Sequence, residues 1–326
     1  MKKVLLLIGG NSSEHKVSCI SAKSILENID YEKYILTSCI IDKNNDWYLY
    51  QGSINNIVDW QNETITRVDN IVNLLKSIDV VFPIIHGVTG EDGKLQGMLD
   101  LFDIKYVGSK TTASAVGMDK EFAKIIFANA GIPGVDYLTL IGDYDPKQIT
   151  EYFSFPVIAK PANNGSSIGI NKANNNKELI EAIKEAKSFD KKVIVEKFMY
   201  ARELECAVLD GKELTLSSIG EIIPANDFYD YNAKYESDAS KTIIPADIPE
   251  EIANIIKDYS IKAFKSINAS GLARVDFFYD EKDNKIYLNE INTLPGFTTI
   301  SMYPKMLMHT GFSYKEIITS LIESTF

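Results

Sequence analysis

The sequence predicts an α/β protein in which a doubly wound, parallel-sheet unit comes first and mixed α+β lobes follow. Three observations carry this. Val4 to Ile8 is a continuous apolar run, as strands buried on both faces of a parallel sheet require. It ends in the turn Gly9-Gly10-Asn11-Ser12-Ser13-Glu14, and helical periodicity then runs from Val17 to Asn28; strand, glycine turn and helix open a doubly wound unit. Far along the chain, two strand-like runs, Leu272 to Tyr279 and Lys285 to Ile291, flank a charged turn and read as a hairpin.

Composition bounds the answer. The chain has 326 residues, enough for two or three domains, and 45% of them are hydrophobic. Net charge is 34 − 45 = −11 with histidine neutral, so there is no general attraction for nucleic acid or an anionic membrane. An anionic ligand needs a local cationic site or a metal. No apolar run reaches the length of a membrane span. Met1 to Ile8 has the basic start and apolar run of a signal peptide, but it is short and ends in Gly9-Gly10-Asn11, so a first buried strand is the better reading. Cys19, Cys39 and Cys206 are scattered, which suggests buried thiols in a reducing compartment, the cytoplasm.

In order after the first unit, strands are expected at Tyr34 to Ile41 and Trp47 to Tyr50, a helix at Thr66 to Ser77, and a buried strand at Asp79 to Ile85. The loop from His86 to Gly93 closes that strand at its carboxyl end, where open α/β sheets collect ligands. His86 shares this loop with Glu91 and three glycines; a lone histidine would more often be structural. The Gly9–Glu14 turn is not a dinucleotide fingerprint, although its helix N-terminus suits a carboxylate. Glu14 has two readings, an amine ligand or a support for the helix start. Lys94 to Leu101 is a helix and Tyr106 to Gly108 a short closing strand, with a domain boundary near Gly108-Ser109.

One helix is then predicted from Thr111 to Ala130, stopped by Gly131-Ile132-Pro133, with Lys120 inside it. A strand from Phe155 to Lys160 leads into Ala162-Asn163-Asn164-Gly165-Ser166-Ser167-Ile168-Gly169, and a strand resumes at Ile168. Such a loop can donate backbone N–H groups to phosphates, and a plain hairpin loop explains its glycines equally well; Lys160 at its base favours phosphate. Lys177 to Lys187 is helical, and strands follow at Val193 to Phe198, Leu204 to Leu209 and Leu214 to Gly220. Ala225 to Pro245 is long and polar yet carries Phe228, Tyr229, Tyr231 and Tyr235, which suits a lid that orders over a ligand. Helices close the chain at Pro249 to Ile267 and Phe312 to Ser324.

On the hairpin, alternation gives Arg274 and Asp276 one face and Ala273, Val275 and Phe277 the other; Glu290 and Asn292 share a face, and Ile291 opposes them. Asp276, Glu290 and Asn292 offer the oxygens a hard divalent cation takes alongside phosphate, and Arg274 offers a fork of donors for an anion. A solvated face with a surface ion pair is the competing reading. Asp276 meets Glu290 on one face only if the turn has an odd residue count or a bulge intervenes.

Taken in order, GGNSSEHKVS, HGVTGEDGKLQG, MDK, KPANNGSSIG, FYDYNAKY, ARVDFF and NEINTLPGFTT resemble the D-alanine:D-alanine ligase family of the ATP-grasp superfamily, from about Val4 to the C-terminus. The resemblance implies an ATP-grasp fold behind the N-terminal unit, with domains at 1–108, 109–194 and 195–326. It implies ATP as co-substrate and two magnesium ions, or manganese, held by Asp276, Glu290 and Asn292. Lys120 and Lys160 would contact phosphate or adenine-side groups, and the loop Gly165-Ser166-Ser167 would cover the phosphates. Glu196, Lys197 and Met199 would line the adenine pocket, and Glu203 would meet the ribose. Tyr229 and Lys234 would close the phosphate end. Glu14 would bind the first D-alanine's ammonium, linked through Ser166 and Tyr235, with His86 near that substrate. Arg274 and the N–H of Gly296 would hold the oxyanion, and Ser301 and Met302 would face the second substrate. A homodimer acting in peptidoglycan synthesis is the family expectation, with no nucleic acid or membrane partner.

The sequence departs from the family pattern at Lys16, at Ala201-Arg202-Glu203, which lacks a preceding glycine, and at Thr299, Ile300 and Met302. The last group puts the acceptor in question, with D-serine as the alternative. Lys234-Tyr235 favours D-alanine or D-serine over D-lactate by resemblance. A non-catalytic ATP-binding regulator is a further alternative, since fold alone does not fix function.

Overall fold

A computed structural model describes residues 1–223 and 241–326. Three sheets organise them. The first is formed by β1 (Lys2–Gly9), β2 (Tyr34–Ile41), β3 (Trp47–Tyr50), β4 (Ile65–Arg67) and β5 (Val80–Pro83), in the order β4-β3-β2-β1-β5. Only β2, β1 and β5 run parallel; β3 and β4 extend the sheet antiparallel. The unbroken apolar run of β1 is explained by burial on both faces. Val4, Leu6 and Ile8 pack under α1 (His15–Asn28), whereas Leu5 and Leu7 pack with α2 (Ile71–Lys76) and α3 (Lys94–Leu101). The chain's last helices, α9 (Met302–His309) and α10 (Tyr314–Glu323), join the first of these cores. Lys2 pairs with Glu323 at 2.8 Å, so the two ends of the chain meet.

The second sheet is antiparallel, in the order β6-β9-β7-β8: β6 (Tyr137–Ile141), β7 (Val157–Pro161), β8 (Asn171–Ala173) and β9 (Lys192–Lys197). It packs under α6 (Pro146–Tyr152) and α7 (Asn176–Phe189). The third comprises β10 (Arg202–Asp210), β11 (Leu214–Leu216), β12 (Gly220–Ile223), β13 (Lys241–Ile243), β14 (Leu272–Asp280) and β15 (Lys285–Asn292). Its apolar face takes α8 (Glu250–Ser266) together with α4 (Thr111–Met118) and α5 (Lys120–Asn129). Gly108 and Gly271 meet backbone to backbone here: a Cβ on Gly271, whose φ is +73°, would lie 2.9 Å from the Gly108 nitrogen.

Several expectations need correction. The helix predicted at Thr66 to Ser77 starts late, because Ile65–Arg67 pairs with β3 and the Asn70 side chain caps Ile71–Lys76, accepting from the Asn73 N–H at 2.9 Å. The helix predicted at Thr111 to Ala130 is two helices. Asp119 is extended, and its carboxylate accepts from the Glu121 and Phe122 N–H groups, which places Lys120 at a helix start and not inside one. The strand expected at Ile168 begins at Asn171, since Ser166, Ser167 and Gly169 are left-handed. Leu214 to Gly220 splits into two strands. Strand β6 and helices α6 and α9 went unread. The Ala225 to Ser240 part of the expected lid, with Phe228, Tyr229, Tyr231, Lys234 and Tyr235, lies outside the described residues.

Candidate active site

Glu14 ends the glycine turn after β1 and stands before α1. Its carboxylate lies against Gly87, where a Cβ would come within 2.5 Å of Oε2 and where φ is +75°, so any side chain there would be strained. Across from it, the left-handed Ser166 donates its hydroxyl to Glu14 Oε1. A turn of the first sheet is thereby tied to the loop after β7. Lys120 holds that loop from the start of α5, its ammonium donating to the Asn164 carbonyl at 2.6 Å.

His86 is buried beside this junction. A carbonyl can only accept, so the Nδ1 that lies 3.2 Å from the Leu294 oxygen carries the proton; Nε2, 2.9 Å away, then accepts from the Ser21 hydroxyl. Burial holds the ring's pKa below its ordinary value, which keeps it neutral. Both ring nitrogens are thus engaged by protein. Glu91 accepts the Gly87 N–H at 2.7 Å. Desolvation, with Glu14's charge beside it, pushes its carboxyl up to about 8.

The hairpin supplies the opposite wall. Asp276 pairs with Glu290, whereas the next pair is Phe277 with Leu288, so Asn289 is an extra residue: a β-bulge. Asp276 accepts a two-pronged contact from Arg274, Nε to Oδ1 and Nη2 to Oδ2, both 2.7 Å. The Asn292 amide also donates to Asp276 Oδ2 at 2.9 Å. On the neighbouring strand Glu205 pairs with Asp276 in register and lies 3.1 Å from Arg274 Nε. Among the described residues, no three His, Cys, Asp or Glu side chains form a ready cation cage. Two carboxylates with an amide oxygen nearby still suit a hard cation that takes its remaining ligands from phosphate and water.

Beyond the loop after β7, Glu196 near the end of β9 accepts ion pairs from Lys160 at 2.8 Å and Lys124 at 2.9 Å. Burial opposes the charged carboxylate, but the two ammonium groups overcome it and hold Glu196 below its usual range. At the far end, the Thr298 N–H donates to Ser301 Oγ at 3.1 Å, and a Cβ on Gly296 would lie 2.9 Å from that oxygen.

These walls enclose one cleft of about 780 Å³. Each described residue that the sequence assigned to catalysis, nucleotide, substrate or metal lines it, whereas Thr299 does not. They come from the glycine turn and His86, from the start of α5 and the loop after β7, from the end of β9 onward, and from the hairpin and the segment that follows it. Sequence reading missed Glu205 and Lys124. The signals were present: Glu205 shares a strand face with Glu203 at spacing two, and Lys124 follows Lys120 by one helical turn.

The comparisons agree along the whole chain. The family described as D-ala D-ala ligase N-terminus matches residues 3–109, and D-ala D-ala ligase C-terminus matches residues 126–323. A D-alanine–D-alanine ligase of Acetivibrio thermocellus is 46% identical, covering 99% of this chain and 95% of that protein. Another, of Caldicellulosiruptor bescii, is 43% identical over 98% of this chain and 94% of its own length. Among solved structures, the VanG D-Ala:D-Ser ligase of Enterococcus faecalis superposes with a TM-score of 0.91 at 35% identity, covering 100% of this chain and 99% of that one. The D-alanine–D-alanine ligase of Coxiella burnetii gives 0.84 at 32% identity, covering 99% and 93%. With its cleft built on these motifs and both family regions matched, the chain belongs to the D-alanine–D-alanine ligase family.

Proposed function

We propose that this protein joins two D-alanines at the expense of ATP, through an acyl phosphate, and releases D-alanyl-D-alanine, ADP and phosphate. The observation that carries the reading is the Ser166–Glu14 hydrogen bond, which sets an amine-binding carboxylate beside a phosphate loop. A carboxylate is a poor electrophile. Its oxygen attacks the γ-phosphorus of ATP, the bond to the ADP oxygen breaks, and an acyl phosphate results. The amine of the second D-alanine then attacks the carbonyl carbon, and the tetrahedral adduct collapses with loss of phosphate.

Glu14 holds the first ammonium, with Ser166 fixing the carboxylate. Lys120, Lys160 and the Gly165–Ser167 backbone bind the ATP phosphates, and Glu196, Lys197, Met199 and Glu203 surround the nucleoside. Arg274 and the Gly296 N–H stabilise the oxyanion. Ser301 takes the second carboxylate. His86, neutral and bonded to Leu294, supports the loop that carries Gly296. Asp276, Glu290 and Asn292 fit two magnesium ions, which would offset charge on the transferring phosphoryl oxygens. Tyr229, Lys234 and Tyr235 would close the site and exclude water. The chain divides near residues 108 and 194 into three working units, and the product serves peptidoglycan synthesis by a homodimer.

D-serine as acceptor is the second reading, favoured by the likeness to a D-Ala:D-Ser ligase and by Thr299, Ile300 and Met302 beside Ser301. Incubation with ATP, magnesium and D-alanine, with and without D-serine, followed by product mass, decides between them. D-alanyl-D-alanine as the main product in both mixtures supports the first reading; a dominant mixed dipeptide supports the second. ATP binding without any dipeptide defeats both.

A further inference from the structure

Lys124 stands behind the cleft wall. It is on α5, one turn after Lys120, and is absent from the cleft lining that includes Lys160 and Glu196. The Lys124, Lys160 and Glu196 side chains are 4%, 6% and 5% exposed, so none is relieved by solvent. Each Glu196 oxygen takes one lysine, Oε1 from Lys124 and Oε2 from Lys160. The two lysines come from different sides. Lys160 is diagonal to Glu196 across β7 and β9, where Ile158 pairs with Glu196 and Lys160 with Ile194. Lys124 arrives from the helix, 3.5 Å from the Val135 carbonyl oxygen and with its ammonium 5.5 Å from the Tyr137 ring centre.

A lysine bound to a buried carboxylate is a poor phosphate ligand unless the carboxylate keeps another counter-ion, because breaking a buried pair leaves an uncompensated charge. We infer that Lys124 is a positioning residue for the nucleotide: it is the fixed counter-ion of Glu196, held outside the cleft, and it frees Lys160 to exchange Glu196 for a phosphate oxygen. This rests on the reading of the cleft as an ATP site. Lys124 does not line the cleft, so its action on the nucleotide is indirect. It acts by keeping Glu196 charged, oriented and neutralised while Lys160 changes partners.

The test uses the full-length enzyme and its Lys124→Met, Lys124→Gln, Lys124→Arg, Glu196→Gln and Lys124→Met/Glu196→Gln variants. Affinity for a non-hydrolysable ATP analogue is measured by calorimetry, with kcat, both KM values and thermal unfolding alongside. Lys124→Met and Lys124→Gln should weaken the analogue by roughly tenfold or more, with KM for D-alanine within about twofold of wild type. Lys124→Arg should recover most of the affinity. In the Glu196→Gln background the Lys124→Met effect should shrink several-fold, since the charge it balances is gone. Unchanged analogue affinity in either Lys124 variant would overturn the inference. So would an undiminished effect in the Glu196→Gln background, or parallel losses in both KM values that track only lowered stability. If Lys124→Met fails to fold, Lys124→Gln and Lys124→Arg carry the comparison. A wild type that binds no analogue would instead defeat the reading of the cleft itself.

Discussion

Asp276 stands directly opposite Glu290 because Asn289 is an extra residue in the ladder. Had the register of Phe277 with Leu288 continued unbroken, Glu290 would lie opposite Val275, on the face that buries Ile286, Leu288 and Ile291. The bulge therefore does chemical work: it turns a carboxylate from an apolar core into the cleft without breaking the hairpin. If Asp276 and Glu290 hold the metal, Asp276→Asn and Glu290→Gln should each lower turnover by roughly a hundredfold or more. Each should also weaken the magnesium dependence of ATP-analogue binding, measured by calorimetric titration over a range of magnesium concentrations.

Ser166 donates to a charged oxygen of Glu14. Hydrogen bonds to charged groups contribute about 1.5–3 kcal/mol, so Ser166→Ala should raise KM for the first D-alanine by roughly 10- to 100-fold. Glu14→Gln, which removes the charge proposed to face the ammonium, should cost more. Initial rates at saturating ATP over a D-alanine series check both.

Glu91 yields a pH signature of stability. Its carboxyl is raised to about 8 by desolvation and by Glu14, against an ordinary value of 4.5. Between those pH values the unfolded chain has released this proton while the folded chain still holds it, so stability falls as pH rises through the window and levels off above it. Glu91→Gln lacks that loss. Urea denaturation from pH 5 to 9 should show the variant gaining on wild type up to about pH 8 and then running parallel.

Asp119 caps α5 and also pairs with Lys192, at 2.6 Å, on β9. Asp119→Ala should lower stability by about 1–2 kcal/mol from the cap alone, with some further loss from the pair. Chemical denaturation reads this directly. Asp119→Asn, which keeps the cap acceptor, should recover most of it.

Much of this was legible in the chain. The apolar runs of β1 and β5, the glycine turn before α1 and the alternation of β14 each follow from local rules, so strand, helix and face could be read directly. Local rules could not choose among registers. A bulge was one of two ways to bring Asp276 and Glu290 together, and only tertiary pairing selects it. The break at Asp119 was visible in principle, since an Asp before an acidic first turn is a cap signal, yet the surrounding helix-forming residues masked it. Lys124 and Glu205 were passed over because a charged residue beside a stronger candidate looks like a solvated face. Their burial arises from packing between sheets far apart in sequence. The packing of α9 and α10 against β10, with α10 also meeting α1, is likewise a long-range contact that no local pattern specifies.

The central claim is that a D-alanine carboxylate is activated by phosphoryl transfer within this cleft. D-alanine carrying ¹⁸O in its carboxylate, turned over with ATP and magnesium, tests it most directly. An acyl phosphate retains the attacking carboxylate oxygen on phosphorus when the amine displaces phosphate, so the released phosphate should carry one ¹⁸O for each D-alanyl-D-alanine formed. Dipeptide formed with unlabelled phosphate, or ATP hydrolysed without dipeptide, would contradict it.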